Sequence, residues 1–235
     1  MLCRSRLTLI SILFACREAE RSVVFIELAE VLRCPNSHEE SWLVLAADRV
    51  DGRDAMEGTL GCPVCKSEFD IKKGIAEFAG APRTKRGIAI DVGEAMRLAA
   101  LLDLTDSRGY AILVGEVGAL AETLRDLVDV QLLLINPGAD VEMGKGLSGL
   151  TIRDDWTALP VAAGMARAVA LDEATILAQL EAALAVVKVG GRVVAPITLA
   201  VPDGAVELAR DDRHWVAERI RAPLSSGIIS LERRR

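Results

Sequence analysis

Aromatic residues are scarce in this chain: Phe, Trp and Tyr together make 3% of 235 residues, with a single tyrosine, and there are only two histidines. A core built from such material has to be aliphatic and alanine-rich, and the scarcity argues against rows of aromatic platforms for stacking nucleic-acid bases. A basic surplus is lacking as well. Lys and Arg number 28 against 34 Asp and Glu, a net charge of -6, which argues against a broad electrostatic grip on nucleic acid. The apolar run Leu7 to Cys16 is too short to span a bilayer. What is plentiful is small and aliphatic: 51% of the residues are hydrophobic, enough for one medium domain and a small one.

Arg4 and Arg6 precede the Leu7–Cys16 run, and the charges of Arg17 to Arg21 follow it. This is the outline of a short signal peptide, and Leu13-Phe-Ala-Cys16 loosely resembles a lipoprotein cleavage box. A first helix is a second reading, and a true start near Val23 or Val24 is a third. A thiolate cluster downstream suits a reducing compartment. Residues 1–21 are therefore expected to be a leader or a misassigned start, and the protein to be cytoplasmic.

Three of the five cysteines fall close together in sequence with one histidine. Cys34-Pro-Asn-Ser-His38 and Gly61-Cys62-Pro-Val-Cys65 each place two N/S ligands in a tight turn, and a tetrahedral Zn²⁺ needs four. Cys34, His38, Cys62 and Cys65 are the expected ligands, with water, Glu39 or Glu40 as the fallback for His38. Between the turns, Ser41–Ala46 and Met56–Leu60 alternate as strands of a hairpin around Asp51-Gly52. With four protein ligands the metal has no open position, so a structural role is expected and catalysis by the metal is not.

Leu32-Arg-Cys-Pro, then Gly61-Cys-Pro-Val-Cys65, then Phe69-Asp-Ile-Lys-Lys-Gly-Ile-Ala-Glu-Phe78 resembles the small zinc-ribbon family that includes activator subunits of tRNA and protein methyltransferases. Phe69, Ile71, Gly74 and Ile75 keep that pattern, while Asp70 and Ala76 stand where prolines are common. The resemblance implies a ribbon over residues 22–80 that binds a protein partner or presents a substrate.

Residues 81–90 are basic, polar and turn-rich and read as a linker. Beyond it, Asp91 and Glu94 open a helix in capping-box style, with Val92, Ala95, Met96, Ala99 and Leu102 on its apolar face. Apolar strands follow at Tyr110–Val114, Gln131–Ile135, Leu150–Ile152, Ala166–Leu171 and Arg192–Ala195. Helices lie between them at Leu120–Val128 and Glu173–Val187, the latter burying Ile176, Leu177, Leu180, Leu184 and Val187 and ended by Gly190-Gly191. Trp215–Ile220 and Gly227–Glu232 are expected as a final antiparallel pair. The alternation predicts an α/β, Rossmann-like, mostly parallel seven-stranded sheet over residues 91–235, with helices on both faces.

Asp155-Trp-Thr-Ala-Leu-Pro160 and Ala182-Ala-Leu-Ala-Val-Val-Lys-Val-Gly-Gly-Arg-Val-Val-Ala195 resemble two successive segments of the class I S-adenosylmethionine-dependent methyltransferases. That resemblance places a cofactor at Gly115, Glu116 and Gly118 in the first loop, at Asn136 after the second strand, and at Asp155 and Trp156. The set is impoverished. Val117, Ala119 and Leu120 crowd the loop, Asn136 lacks the charge of the carboxylate that would hold two ribose hydroxyls, and Arg167 replaces an acid. Two lost charge-assisted bonds at about 1.5–3 kcal/mol each weaken binding about a hundredfold or more.

The expected protein is thus a zinc ribbon fused to a methyltransferase-like domain with an eroded S-adenosylmethionine site, acting as an interaction or regulatory module linked to a methyltransferase or the translation machinery. An active methyltransferase with a divergent site is the alternative. An RNA-binding ribbon is a weaker one.

Overall fold

The computed structural model of the chain describes residues 24–51, 54–79, 91–105, 107–143 and 146–220. The expected leader, the linker at 81–90 and the strand Gly227–Glu232 lie outside the described residues. Five strands come from the segment expected as a ribbon, residues 22–80: β1 (Val24–Phe25), β2 (Val44–Asp51), β3 (Asp54–Gly61), β4 (Glu68–Lys72) and β5 (Ile75–Glu77). The hairpin β2–β3 turns after Asp51 as expected, pairing Val44 with Gly61 and Asp51 with Asp54, but its first strand runs Val44–Asp51 rather than Ser41–Ala46.

Seven strands follow: β6 (Tyr110–Val114), β7 (Gln131–Ile135), β8 (Leu147–Thr151), β9 (Ala166–Ala170), β10 (Val187–Pro196), β11 (Ala205–Arg210) and β12 (His214–Arg219). Their order in the sheet is β8-β7-β6-β9-β10-β12-β11, parallel up to β10 and antiparallel at the last two. The direction of the strand order reverses between β6 and β9, which is the switch point of a doubly wound sheet.

The whole sheet is not seven-stranded as expected. β5 pairs in parallel with β8, Ile75 opposite Gly149, and the ribbon strands continue outward from there to make one mixed sheet of twelve. Gly149 permits the approach, since a Cβ there would fall 2.9 Å from Ile75 Cγ1. The joint is reinforced at the first knuckle, where the Arg33 N–H donates to Pro160 O and the Ala162 N–H donates to Val31 O. The final pair differs too: β12 meets β11, built from 205–210, a stretch whose alternation is masked because it is exposed almost throughout.

Alternate residues of each central strand feed different sides of the sheet, which is why these strands read as unbroken apolar runs. Ala111 and Leu113 with Leu132 and Leu134 pack under α1 (Val92–Leu101) and α2 (Ala121–Leu127). Ile112, Leu133 and Ile135 face the other way. They share a cluster with Leu180 and Leu184 of α3 (Leu177–Val186), with Trp156 and Trp215, and with Leu28, Leu32, Leu60 and Ile71 of the ribbon.

Two helix faces differ from expectation. On α1 the buried residues are Ala95 and Leu98, while Val92 and Met96 are exposed; Asp91 caps it by accepting from the Gly93 N–H. Glu94 does not close a capping box and instead bonds Arg97 and Arg213. On the other face α3 starts only at Leu177, so Ile176 and Leu177 stand 56% and 52% exposed at its mouth. The helix ends before Gly190-Gly191, because β10 already begins at Val187 and carries the two glycines in its irregular first half.

Candidate metal centre and the crevice at the sheet edge

The two knuckles are held by backbone bonds before any metal enters. Cys34 N–H donates to Ser41 O, Cys62 N–H to Ser67 O and Lys66 N–H to Cys62 O, each at 2.9–3.0 Å. These turns aim four ligand atoms, from Cys34, His38, Cys62 and Cys65, into a space where all lie within 4.8 Å of one another. The spacing suits a tetrahedral ion. With Zn–S of about 2.3 Å, the edge of a thiolate tetrahedron is about 3.8 Å, and Cys34 Sγ stands 3.7 Å from Cys65 Sγ. Cys62 Sγ and His38 Nε2 are 3.4 Å apart. His38 Nδ1 bonds the Glu39 carbonyl, which fixes the ring and turns Nε2 toward the sulfurs. The extra residue in Cys34-x-x-x-His38 is absorbed by the small turn in which His38 N–H donates to Asn36 O.

The electrostatics divide the thiols. Burial pushes the Cys34 thiol up to about 12, against the pull of the Asn36 amide. Hydrogen bonding from Ser67 and Asn36 brings Cys65 down to about 5. At Cys62, burial raises the thiol but the amides of Cys65 and Val64 outweigh it, and the net direction is down. The Glu39 carbonyl holds His38 above its ordinary value. Three soft sulfurs and an imidazole fit Zn²⁺, and four protein donors leave it no place for a substrate.

The second candidate site lies at the carboxyl ends of β6, β7 and β9. Gly115, φ +61, opens a 3-10 turn over Gly115–Leu120. The Glu116 N–H there donates to Asp172 Oδ2 at 3.0 Å. Gly118 faces Pro137, whose Cα would be 3.9 Å from an added Cβ. Asn136 sits in the left-handed region, φ +49. Its Oδ1 accepts from the Ile152 N–H at 2.8 Å and its Nδ2 reaches Asp154, so the amide clamps the ends of β7 and β8 together. Asp155 is exposed and bonded through both oxygens to Arg153, which holds its carboxyl below the usual range. Trp156, 7% exposed, belongs to the core beneath the loop. Arg167 is at the other end of the sheet, donating to the carbonyls of Asp103 and Arg108.

Three residues bear on this edge without any signal in the sequence. Asp172 stands just past β9 against Gly115. Gln179 accepts from the Ile176 N–H at the start of α3 and donates to Asp154 O. His214 helps line a cavity of about 90 Å³ with Glu94, Arg97, Leu98, Val117, Leu120, Ala170, Leu171 and Val194. Burial, then Arg97, depress His214 below the ordinary histidine value. The cavity sits beside the switch point, with an aliphatic floor and a rim whose Glu94, Arg97, Asp211 and Arg213 are mutually paired.

No helix among the described residues is long and apolar enough to cross a membrane. No protein-family model matches the chain. No curated protein matches it either. Among solved structures, it is similar to a tRNA methyltransferase of Aquifex aeolicus at 15% identity and TM-score 0.40, over 80% of this chain and 100% of that one. It is similar to TrmN of Thermus thermophilus at 16% identity and TM-score 0.41, over 54% and 48%. The Haloferax volcanii complex of a methyltransferase activator with a candidate methyltransferase matches at 15% identity and TM-score 0.32, over 47% and 62%. The chain spans less than half the length of several structures it matches, 42%, 45% and 48%.

Proposed function

We propose that the protein is a zinc ribbon fused to a methyltransferase-like domain that has given up its hold on S-adenosylmethionine, and that it works as an interaction or regulatory module beside a methyltransferase or the translation machinery. One observation carries this reading: the polar groups of the cofactor loops already bond one another. The Asn136 carbonyl oxygen is on Ile152, the Asp155 carboxylate on Arg153 and the Glu116 amide on Asp172. A ligand would have to break the Ile152 and Asp172 bonds, at a net cost of about 0.5–1.5 kcal/mol each and more where the Asp172 charge takes part, while the solvent-exposed Arg153–Asp155 pair opposes it little. The ribbon supplies the partner surface. Trp42, Val44, Val50 and Val64 are each about half exposed there, with the Arg33 guanidinium lying over the Trp42 ring.

Isothermal calorimetry with S-adenosylmethionine and with its demethylated product tests the reading. Heat of binding is expected to be undetectable at micromolar concentrations, and a micromolar Kd would overturn it. The cavity beside the switch point, lined by Val117 and Leu120 of the first loop, favours one rival, an active methyltransferase, although its expected cofactor set of Glu116, Asn136 and Asp155 lies outside that lining. That rival predicts methyl transfer from labelled cofactor to a cell extract, abolished by Asp155→Ala.

A further inference from the structure

The first loop holds a carboxylate belonging to the chain. β6 and β9 are parallel neighbours, so the turn after β6 and the residues just past β9 emerge side by side at the switch point. There Asp172, 7% exposed, points at the turn. A Cβ added to Gly115 would fall 1.8 Å from Asp172 Oδ2, far inside contact distance. The glycine therefore makes room for this carboxylate, in a conformation (φ +61) that other residues rarely adopt. Oδ2 accepts the Glu116 N–H at 3.0 Å, and Oδ1 accepts the Thr175 hydroxyl at 3.2 Å. The Thr175 N–H returns to the Asp172 carbonyl, so the turn after β9 is pre-set to hold the side chain in place.

We infer that Asp172 is an autoinhibitory plug, an internal carboxylate in the place where the loop would take the carboxylate end of an amino-acid-bearing nucleoside such as S-adenosylmethionine. The inference rests on the reading that the cofactor grip is lost, and it names the contact that blocks it. The Glu116 amide has one proton to donate. A second carboxylate arriving there would meet an occupied donor and a like charge at contact distance, with only the ligand's own α-ammonium to offset the repulsion. Entry requires Asp172 to leave, breaking its bonds to Glu116 and Thr175 together.

The test is calorimetry on the zinc-loaded full chain with three probes: S-adenosylmethionine, its demethylated product, and 5′-methylthioadenosine, which has the nucleoside but no carboxylate. Asp172→Ala is expected to bind the first two at least tenfold more tightly than the unaltered chain, with little change for the third. Equal affinity in the variant and the unaltered chain, including no binding by either, overturns the plug and leaves the proposed function standing. Tight binding by the unaltered chain sinks the proposed function, and the variant's affinity relative to it still judges the plug. A gain of the same size for all three probes also overturns the inference, because it would mean a general loosening. Should Asp172→Ala fail to fold, Asp172→Ser keeps a hydroxyl for Thr175 while being too short to reach Glu116, and carries the same expectations. Independently, the Glu116 amide of the unaltered chain is expected to be strongly protected from hydrogen exchange, and exchange at the rate of an open loop would refute the seated carboxylate.

Discussion

Cys65 offers a sharp trial of the metal centre because it is exposed, unlike Cys62. If its thiol served only as a surface group, Cys65→Ser would be worth no more than about 0.5 kcal/mol, the usual effect of a surface substitution away from special features. As one corner of a tetrahedron it is worth far more. Serine is a poor zinc ligand and three donors do not hold the ion in a closed site, so the loss is on the order of 4 kcal/mol, the range reached when a structural metal is lost. For a domain of this size each kcal/mol moves Tm by about 2–4 °C, which gives a fall of about 8–16 °C. The effect is not confined to the ribbon. Leu32, Leu60, Cys62 and Ile71 share one buried cluster with Ile112, Leu133 and Trp215, and β5 is a strand of the same sheet as β8. Loss of the ion is therefore expected to lower a single cooperative transition that includes the α/β core. The measurements are zinc content per chain by plasma emission spectrometry, expected to drop from one to near zero, and thermal unfolding followed by far-ultraviolet circular dichroism and by tryptophan fluorescence. A Cys65→Ser chain that keeps its zinc and its Tm would refute the metal centre, and two separate transitions would refute the shared core.

Asn136→Ala strips the acceptor from the Ile152 N–H and should cost about 1–3 kcal/mol in urea unfolding, the penalty of an orphaned polar group, with no change in nucleoside binding. Leu133→Ala, at a position 1% exposed in the shared cluster, should cost about 2–5 kcal/mol by the same measurement. His214 gives a pH dependence of definite sign. Its folded-state value is depressed by burial and by Arg97 and Arg213, against the pull of Glu173 and Asp211, so the unfolded chain takes up the proton more readily. The stability it contributes is complete above the ordinary value of 6.5 and is lost as pH falls through the depressed one. The Glu94 carboxyl, paired to Arg97 and Arg213, loses its contribution in the same direction but lower, through the carboxylate range. Urea midpoints measured from about pH 5 to about pH 8 should rise with pH, and the rise through the histidine range should flatten in His214→Gln. An unchanged slope in that variant would remove His214 from the account.

The central sheet was legible because strands buried on both faces leave continuous runs such as Ala111–Val114 and Leu132–Ile135, which survive without any knowledge of partners. The knuckles were legible because thiols at short spacing have few structural uses. β11 was not legible, since Ala205–Arg210 is an exposed edge paired with β12 alone and carries no clear alternation. Nor was the union of ribbon and sheet. β5 is three residues long, and what joins it to β8 is main-chain pairing plus the missing side chain of Gly149, neither of which leaves a periodic trace. The face of α3 was misjudged for a related reason: Ile176 and Leu177 satisfy the helical period, yet the helix begins so late that they fall beyond the covered core.

A sequence can be searched for groups able to bind a ligand, but not for the groups that have already engaged them. Gly115, Glu116, Asn136 and Asp155 were identifiable as residue types. Their partners Asp172, Ile152 and Arg153 were assigned only by the fold, since two of the three bonds cross between separate strands. The clearest case is Gly115, where opposite functions demand the same residue. A loop that admits a cofactor's carboxylate and a loop that admits a neighbouring aspartate both need a backbone without a side chain and an amide pointing outward. On the proposed reading, what fills this loop is a side chain just past β9, 56 positions along the chain from the amide it engages. What distinguishes the two loops is the occupancy of the Glu116 amide, which the glycine pattern alone does not reveal.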